Sequence, residues 1–214
     1  AKSDLVVKNK SKDEERADQI LEHFKDIELM CIQGERSTQT GPDGGQLRTA
    51  RGLLKFIITQ VSTFGGDGEV TEPEWEEFIR ICSRYGSNLK LGFFSSKLVS
   101  ILNGFGREKL SVVDPKSRYG VAFSKYVHGG LEVDFLSHPL LENDSQTDLT
   151  GLAGTGIIVD PADLKMKHLP GRYMIHRYNE YHDLTDADEE EILSECCITL
   201  ELEKKHGKCT GARS

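Results

Sequence analysis

The chain has 214 residues and a formal net charge of -8, with 27 Lys and Arg against 35 Asp and Glu. Its 37 % hydrophobic content is enough to build a core in one large domain or two closely packed ones, without disulfide staples. The acidic balance repels phosphate backbones, which excludes free nucleic-acid binding unless a local basic patch overrides the field.

The five cysteines are Cys31, Cys82, Cys196, Cys197 and Cys209. An odd number without a C-x-x-C pair argues against a disulfide framework or a thiolate zinc site, and for a reducing compartment. No run of about 18 apolar residues is present, and the opening from Ala1 to Lys12 lacks a hydrophobic signal-peptide core, so a soluble intracellular product is expected. The chain opens on Ala1 rather than Met, which leaves room for upstream material.

The first element is a long helix. Ser11-Lys12-Asp13-Glu14 is a capping-box pattern, and Ala17, Ile20, Leu21, Phe24, Ile27 and Cys31 recur on one helical face until Gly34 supplies a stop. Ile20, Leu21, Phe24 and Ile27 are expected to pack, each contributing roughly 1.5 to 3 kcal/mol on burial. Glu35 to Gln46, centred on Gly41-Pro42-Asp43-Gly44-Gly45, reads as a mobile loop. Gly52 to Ile58 is a short apolar run, helix or strand, followed by a turn cluster at Gly65-Gly66-Asp67-Gly68.

Thr71-Glu72-Pro73-Glu74 starts a second helix, with Thr71 as cap and an acidic first turn. Trp75, Phe78, Ile79 and Cys82 form its inner stripe and Gly86 ends it. Leu89 to Phe94 reads as a strand, and Ser95 or Ser96 caps a helix carrying Leu98, Ile101, Leu102 and Phe105. Strands dominate from Val121: Gly130 to Leu136 alternates, Gly156 to Asp160 is a short buried run, and Ile198 to Glu203 alternates again. Helices early and strands late predict an α+β fold with a mixed sheet.

Candidate chemistry is sparse. His128, Asp134 and His138 share a strand-rich stretch and are the one set that suggests a metal-dependent hydrolase. However, Gly129-Gly130 predicts a turn between the first two, and no H-E-x-x-H or H-x-x-E-H spacing occurs. Gly151 to Gly156 has the wrong spacing for a dinucleotide loop and leads into a strand rather than a helix. The acidic run Asp183 to Glu191 lacks the glycine that an EF-hand turn requires and reads as a solvated connection. Adjacent Cys196 and Cys197 fall in a predicted strand, so one thiol is expected buried and the other exposed. No nucleophile motif, cofactor loop or metal set emerges, and a non-enzymatic protein without cofactor is expected.

Read in order, several segments resemble the major capsid proteins of tailed phages with the Hong Kong 97-type fold. They are Ser11 to Gly34; Gly52 to Ile57; Thr71 through Tyr85-Gly86; Phe94 to Asn103; Leu131 to Phe135 with His138 to Glu142; Ile157-Ile158-Val159-Asp160-Pro161-Ala162-Asp163-Leu164-Lys165; and His206 to Gly211. The resemblance covers most of the chain. It departs at the front, where the N-terminal arm and extended loop of such proteins would precede the helix.

The resemblance implies a spine helix and peripheral domain over residues 1–86, an axial domain over 87–169, and C-terminal strands over 170–214 that return to the peripheral domain. It also implies self-association into pentamers and hexamers of an icosahedral shell. Scaffolding, portal or decoration proteins and packaged DNA bound without sequence specificity are the implied partners. The implied location is the virion capsid, assembled in the host cytoplasm without a membrane. A compartment shell of the same fold, as in encapsulins, is the nearest alternative. The loop from Ser37 to Gln46 is expected to order only beside neighbouring subunits.

Overall fold

The computed structural model describes residues 12–41, 44–64, 70–105, 124–142, 152, 154–179 and 189–211. Two compact units emerge, Ala1–Gly52 with Met166–Ile198, and Leu53–Lys165 with Thr199–Ser214. The expected cap Ser11, the turn cluster from Gly65 to Gly68 and most of the acidic run from Asp183 lie outside the described residues.

The first unit is led by α1, Lys12–Gln33. Its stop is a backbone contact. A side chain on Gly34 would meet the Met30 carbonyl at 2.5 Å and the Ala50 carbonyl at 2.7 Å, while Gly52 donates its N–H to the Gly34 carbonyl at 2.8 Å. Only glycine allows that approach.

The expected mobile loop after it is instead an antiparallel hairpin of β1, Thr38–Thr40, and β2, Gln46–Arg48, in the register Thr38↔Arg48. Alternation was missing from its sequence because both strands are exposed on both faces. A second hairpin pairs β9, Ile175–Asn179, with β10, Glu189–Leu193. Glu189 to Glu191, expected as solvated connection, therefore belong to a strand.

The second unit holds a six-stranded mixed sheet. Its strands are β3 (Val61–Thr63), β4 (Leu89–Phe94), β5 (Ser124–His128), β6 (Leu131–Ser137), β7 (Gly156–Val159) and β12 (Gly207–Thr210), in the order β3-β12-β7-β4-β6-β5. Central β4 runs parallel to β6 and antiparallel to β7. All four residues of β7 are buried, as expected of a strand covered on both faces. The helices of this unit are α2 (Leu53–Phe56), α3 (Glu72–Ser83) and α4 (Ser96–Phe105). A further pair joins β8, Leu164–His168, to β11, Cys196–Leu200.

Local chemistry starts both long helices of this unit. The Glu74 carboxylate accepts from the Thr71 N–H at 3.0 Å and from its hydroxyl at 2.9 Å. Fully buried Ser95 uses its hydroxyl to accept from Leu98 N–H at 3.3 Å and from Gly154 N–H at 3.0 Å. Trp75 then lies 5.6 Å, ring to ring, from both Phe78 and Phe94, and 6.1 Å from Tyr126. Trp75, Phe78, Ile79, Leu98 and Leu102 are buried in this cluster, and Ile101 is partly buried against it. At roughly 1.5 to 3 kcal/mol per buried large side chain, this core outweighs exposed ion pairs such as Arg80 with Glu77.

Two sequence expectations are corrected by packing. Ile20, Leu21 and Phe24 of α1 are 39 %, 55 % and 45 % exposed and Ile27 is half-buried, so the stripe is not core. The divisions at 86/87 and 169/170 do not separate compact units, because α3 packs its aromatic residues on β4 and β5. Of the C-terminal stretch, β9 and β10 lie in the unit that holds α1, and β12 pairs with β7 and with β3 in the six-stranded sheet.

Candidate functional site

The histidine set is not brought together. Gly129 and Gly130, with φ of +58° and +87°, make the tight turn between β5 and β6. The register then opposes Lys125 to Asp134 and His128 to Leu131, placing His128 and Asp134 at ladder positions of opposite parity. His138 is buried at the start of the short 3-10 turn Pro139–Leu141, where its Nδ1 accepts from Leu140 N–H at 3.2 Å. Among the described residues no group of three or more His, Cys, Asp or Glu side chains could hold a metal ion.

A buried polar network lies where β4 begins and β7 ends. Lys90 is 0 % exposed, and its ammonium donates to the carbonyls of Tyr85 at 2.9 Å and Lys205 at 2.6 Å. Burial lowers its pKa, with the Asp160 charge acting in opposition. Asp160 accepts from Ser87 N–H at 2.7 Å and from Ala162 N–H at 3.2 Å. Burial pushes this carboxyl up, yet those donors and Lys90 hold it below its ordinary value.

His206 closes the network from the C-terminal side. Also 0 % exposed, it accepts the Asp160 N–H at Nδ1 over 3.1 Å and donates from Nε2 to the Glu201 carbonyl at 3.1 Å. Those two bonds specify the neutral ring. Burial lowers its pKa, the Glu201 carbonyl opposes, and Lys90 lowers it further. The network therefore fixes backbone at Tyr85, Asp160 and Lys205, and carries no exposed reactive group. Neither Lys90 nor His206 carries a local motif for this network; the stretch Val159 to Lys165 and a lysine inside a strand are its only marks in the sequence.

The other candidate is a surface in the first unit. Arg16 donates through Nε to both oxygens of Glu190 at 2.8 and 2.9 Å, and His176 Nε2 lies 2.9 Å from the same carboxylate. The Arg16 bond pulls Glu190 down to about 2. His23 Nε2 is 2.8 Å from the Ser194 hydroxyl. The Arg16 and His23 contacts orient α1 on β10 and the residue after it, and Ile20, Leu21 and Phe24 remain outward. Cys196 and Cys197 are both half-buried, correcting the expected split between one buried and one exposed thiol.

The chain thus combines a mixed sheet flanked by helices, a long helix with an outward apolar stripe, and buried polar groups that hold backbone together. A family model for the SU10 major capsid protein matches residues 3–213, and the chain belongs to that family. Its fold is similar to the holo-SrpI encapsulin complex of Synechococcus elongatus PCC 7942, over 98 % of this chain and 69 % of that one, with TM-score 0.60 and 11 % identity. It is also similar to the satellite phage P4 procapsid that includes the size determination protein, over 99 % and 68 %, with TM-score 0.53 and 11 % identity.

None of the curated proteins compared with the chain matches it. The fold is α+β of the Hong Kong 97 type and the role is that of a structural capsid protein, located in the virion capsid. No described helix is long and apolar enough to cross a membrane.

Proposed function

We propose that the protein builds an icosahedral phage head from pentamers and hexamers, the second unit serving as axial domain and the first as peripheral domain. The observation that carries this reading is the outward stripe of α1. Leu21 and Phe24 are 55 % and 45 % exposed, although burying each is worth roughly 1.5 to 3 kcal/mol. The exposed hairpin β1–β2 supports it, since an isolated two-stranded hairpin is marginal in water without something to lie against.

Contacts of this size are individually modest, and repetition around closed rings multiplies them. Assembly takes place in the host cytoplasm, with scaffolding, portal or decoration proteins as further partners. The net charge of -8 suits a wall that encloses DNA without gripping its phosphates.

The test substitutes Leu21→Ser and Phe24→Ser together, in the full reading frame that contains this chain. The expected result is an unchanged melting temperature with a sharp fall in assembled mass by light scattering. Unchanged assembly would contradict the assignment of this stripe. Particle contents separate a DNA-filled head from an enzyme-filled compartment of the same fold.

A further inference from the structure

Three half-buried thiols, Cys31 on α1 and Cys196 and Cys197 on β11, fall within one unit, and the contacts along α1 bring them to one place. Arg16 meets Glu190 and His23 meets Ser194. From Arg16 to His23 the helix advances about 10 Å; from Glu190 to Ser194 an extended chain advances about 13 Å. Helix and β10–β11 segment therefore run side by side in the same direction.

Continuing from His23, the helix reaches Cys31 after about 12 Å. Continuing from Ser194, the strand reaches Cys196 and Cys197 after about 7 to 10 Å. Arg16, His23, Ile27 and Cys31 also share one helical face and are all half-buried; from Glu14 to Glu28 the other sides are exposed, and the last turn from Leu29 to Gln33 is half-buried or buried all round. Electrostatics agrees with this placement: burial acts most on the Cys31 thiol, and of the charged neighbours Cys196 comes first, then Glu28, then Cys197. Cys82 and Cys209 belong to the second unit, each 0 % exposed in its core.

We propose that Cys31 and Cys196 form an oxidation-dependent disulfide that ties the last turns of α1 to β11, with Cys197 remaining a free thiol. Both adjacent cysteines are half-buried, and Cys196 weighs more on the Cys31 thiol than Cys197 does. With a glutathione disulfide as oxidant, one cysteine thiolate attacks it, forming a mixed disulfide and releasing one glutathione thiol. The second cysteine thiolate displaces the other glutathione. Two protein S–H bonds are lost, one S–S bond forms, and the two electrons and two protons appear on two glutathione thiols.

Burial pushes the Cys31 thiol up to about 11 and raises Cys196 as well, so exchange is slow at neutral pH and accelerates as the thiolate fraction grows. The bond is therefore expected to form slowly at neutral pH. It does not depend on the capsid role, and its test is independent of shell formation.

Protein incubated with oxidised glutathione at about pH 8 is alkylated and mapped by mass spectrometry. The expected product links Cys31 to Cys196 within one chain, is reversed by dithiothreitol, and forms faster at higher pH. Cys31→Ser and Cys196→Ser abolish it and Cys197→Ser does not. Wild-type protein in which Cys31 stays free, keeps a glutathione adduct, or links to Cys197 would overturn the proposal without reliance on any variant.

Discussion

His206 holds the backbone N–H of Asp160 on one ring nitrogen and the carbonyl of Glu201 on the other. Protonation would place a second donor against the Asp160 N–H, in a site where Lys90, Asp160 and Asp163 already act on the ring and Lys205 is paired with Asp163. The folded-state pKa lies below the ordinary 6.5. The stabilising contribution is therefore present above pH 6.5 and is lost as pH falls below it.

Urea midpoints measured against pH should be flat above 7, fall through the 6.5 region, and lose that step in His206→Gln. An unchanged step in the variant would assign it elsewhere. Lys90 makes a second residue-scale claim. Lys90→Met strands the Tyr85 and Lys205 carbonyls and should cost about 3 kcal/mol in urea denaturation; a loss under about 0.5 kcal/mol would deny the network its structural role.

At the scale of elements, the turn from α3 into β4 rests on Gly86. Its φ is +88°, and an added Cβ would stand 2.6 Å from Asp160 Oδ2 and 3.1 Å from Lys90 Nζ. Gly86→Ala should therefore lower stability by about 2 kcal/mol, combining strain at positive φ with displacement of buried charges. Calorimetry would check this, and a neutral variant would mean that the turn relaxes freely.

Much of the element order was legible in the sequence. The Thr71 start, the Trp75-Phe78-Ile79-Cys82 stripe and the alternation of β6 are local patterns, and local patterns survive in sequence. Strand β4 shows the limit. Its apolar residues Leu89, Leu91 and Phe93 mark one face, yet the buried positions are Lys90, Gly92 and Phe94. The lysine is inward because the Tyr85 carbonyl, just before the strand, and the distant Lys205 carbonyl receive it, and nothing within β4 encodes that. The membership of β12 was hidden for the same reason, since pairing with β3 and β7 joins residues far apart in the chain.

For the whole molecule, the same limit explains the α1 stripe. Helical periodicity reveals which side chains share a face, but not whether that face meets its own chain or another. The outward setting of Ile20, Leu21 and Phe24, and the exposed hairpin from Thr38 to Arg48, are surfaces that a shell would cover. Hydrogen exchange should show weak protection of Gln39 and Leu47 in dispersed subunits and strong protection in assembled particles. Equal protection in both states would remove the hairpin from the interface.

The most direct test of the shell-building role is negative-stain electron microscopy of the purified product of the full reading frame. Closed shells, or free rings of five and six subunits, are the predicted result. A product that stays monomeric at every concentration, with scaffolding proteins from the same source supplied, would contradict it.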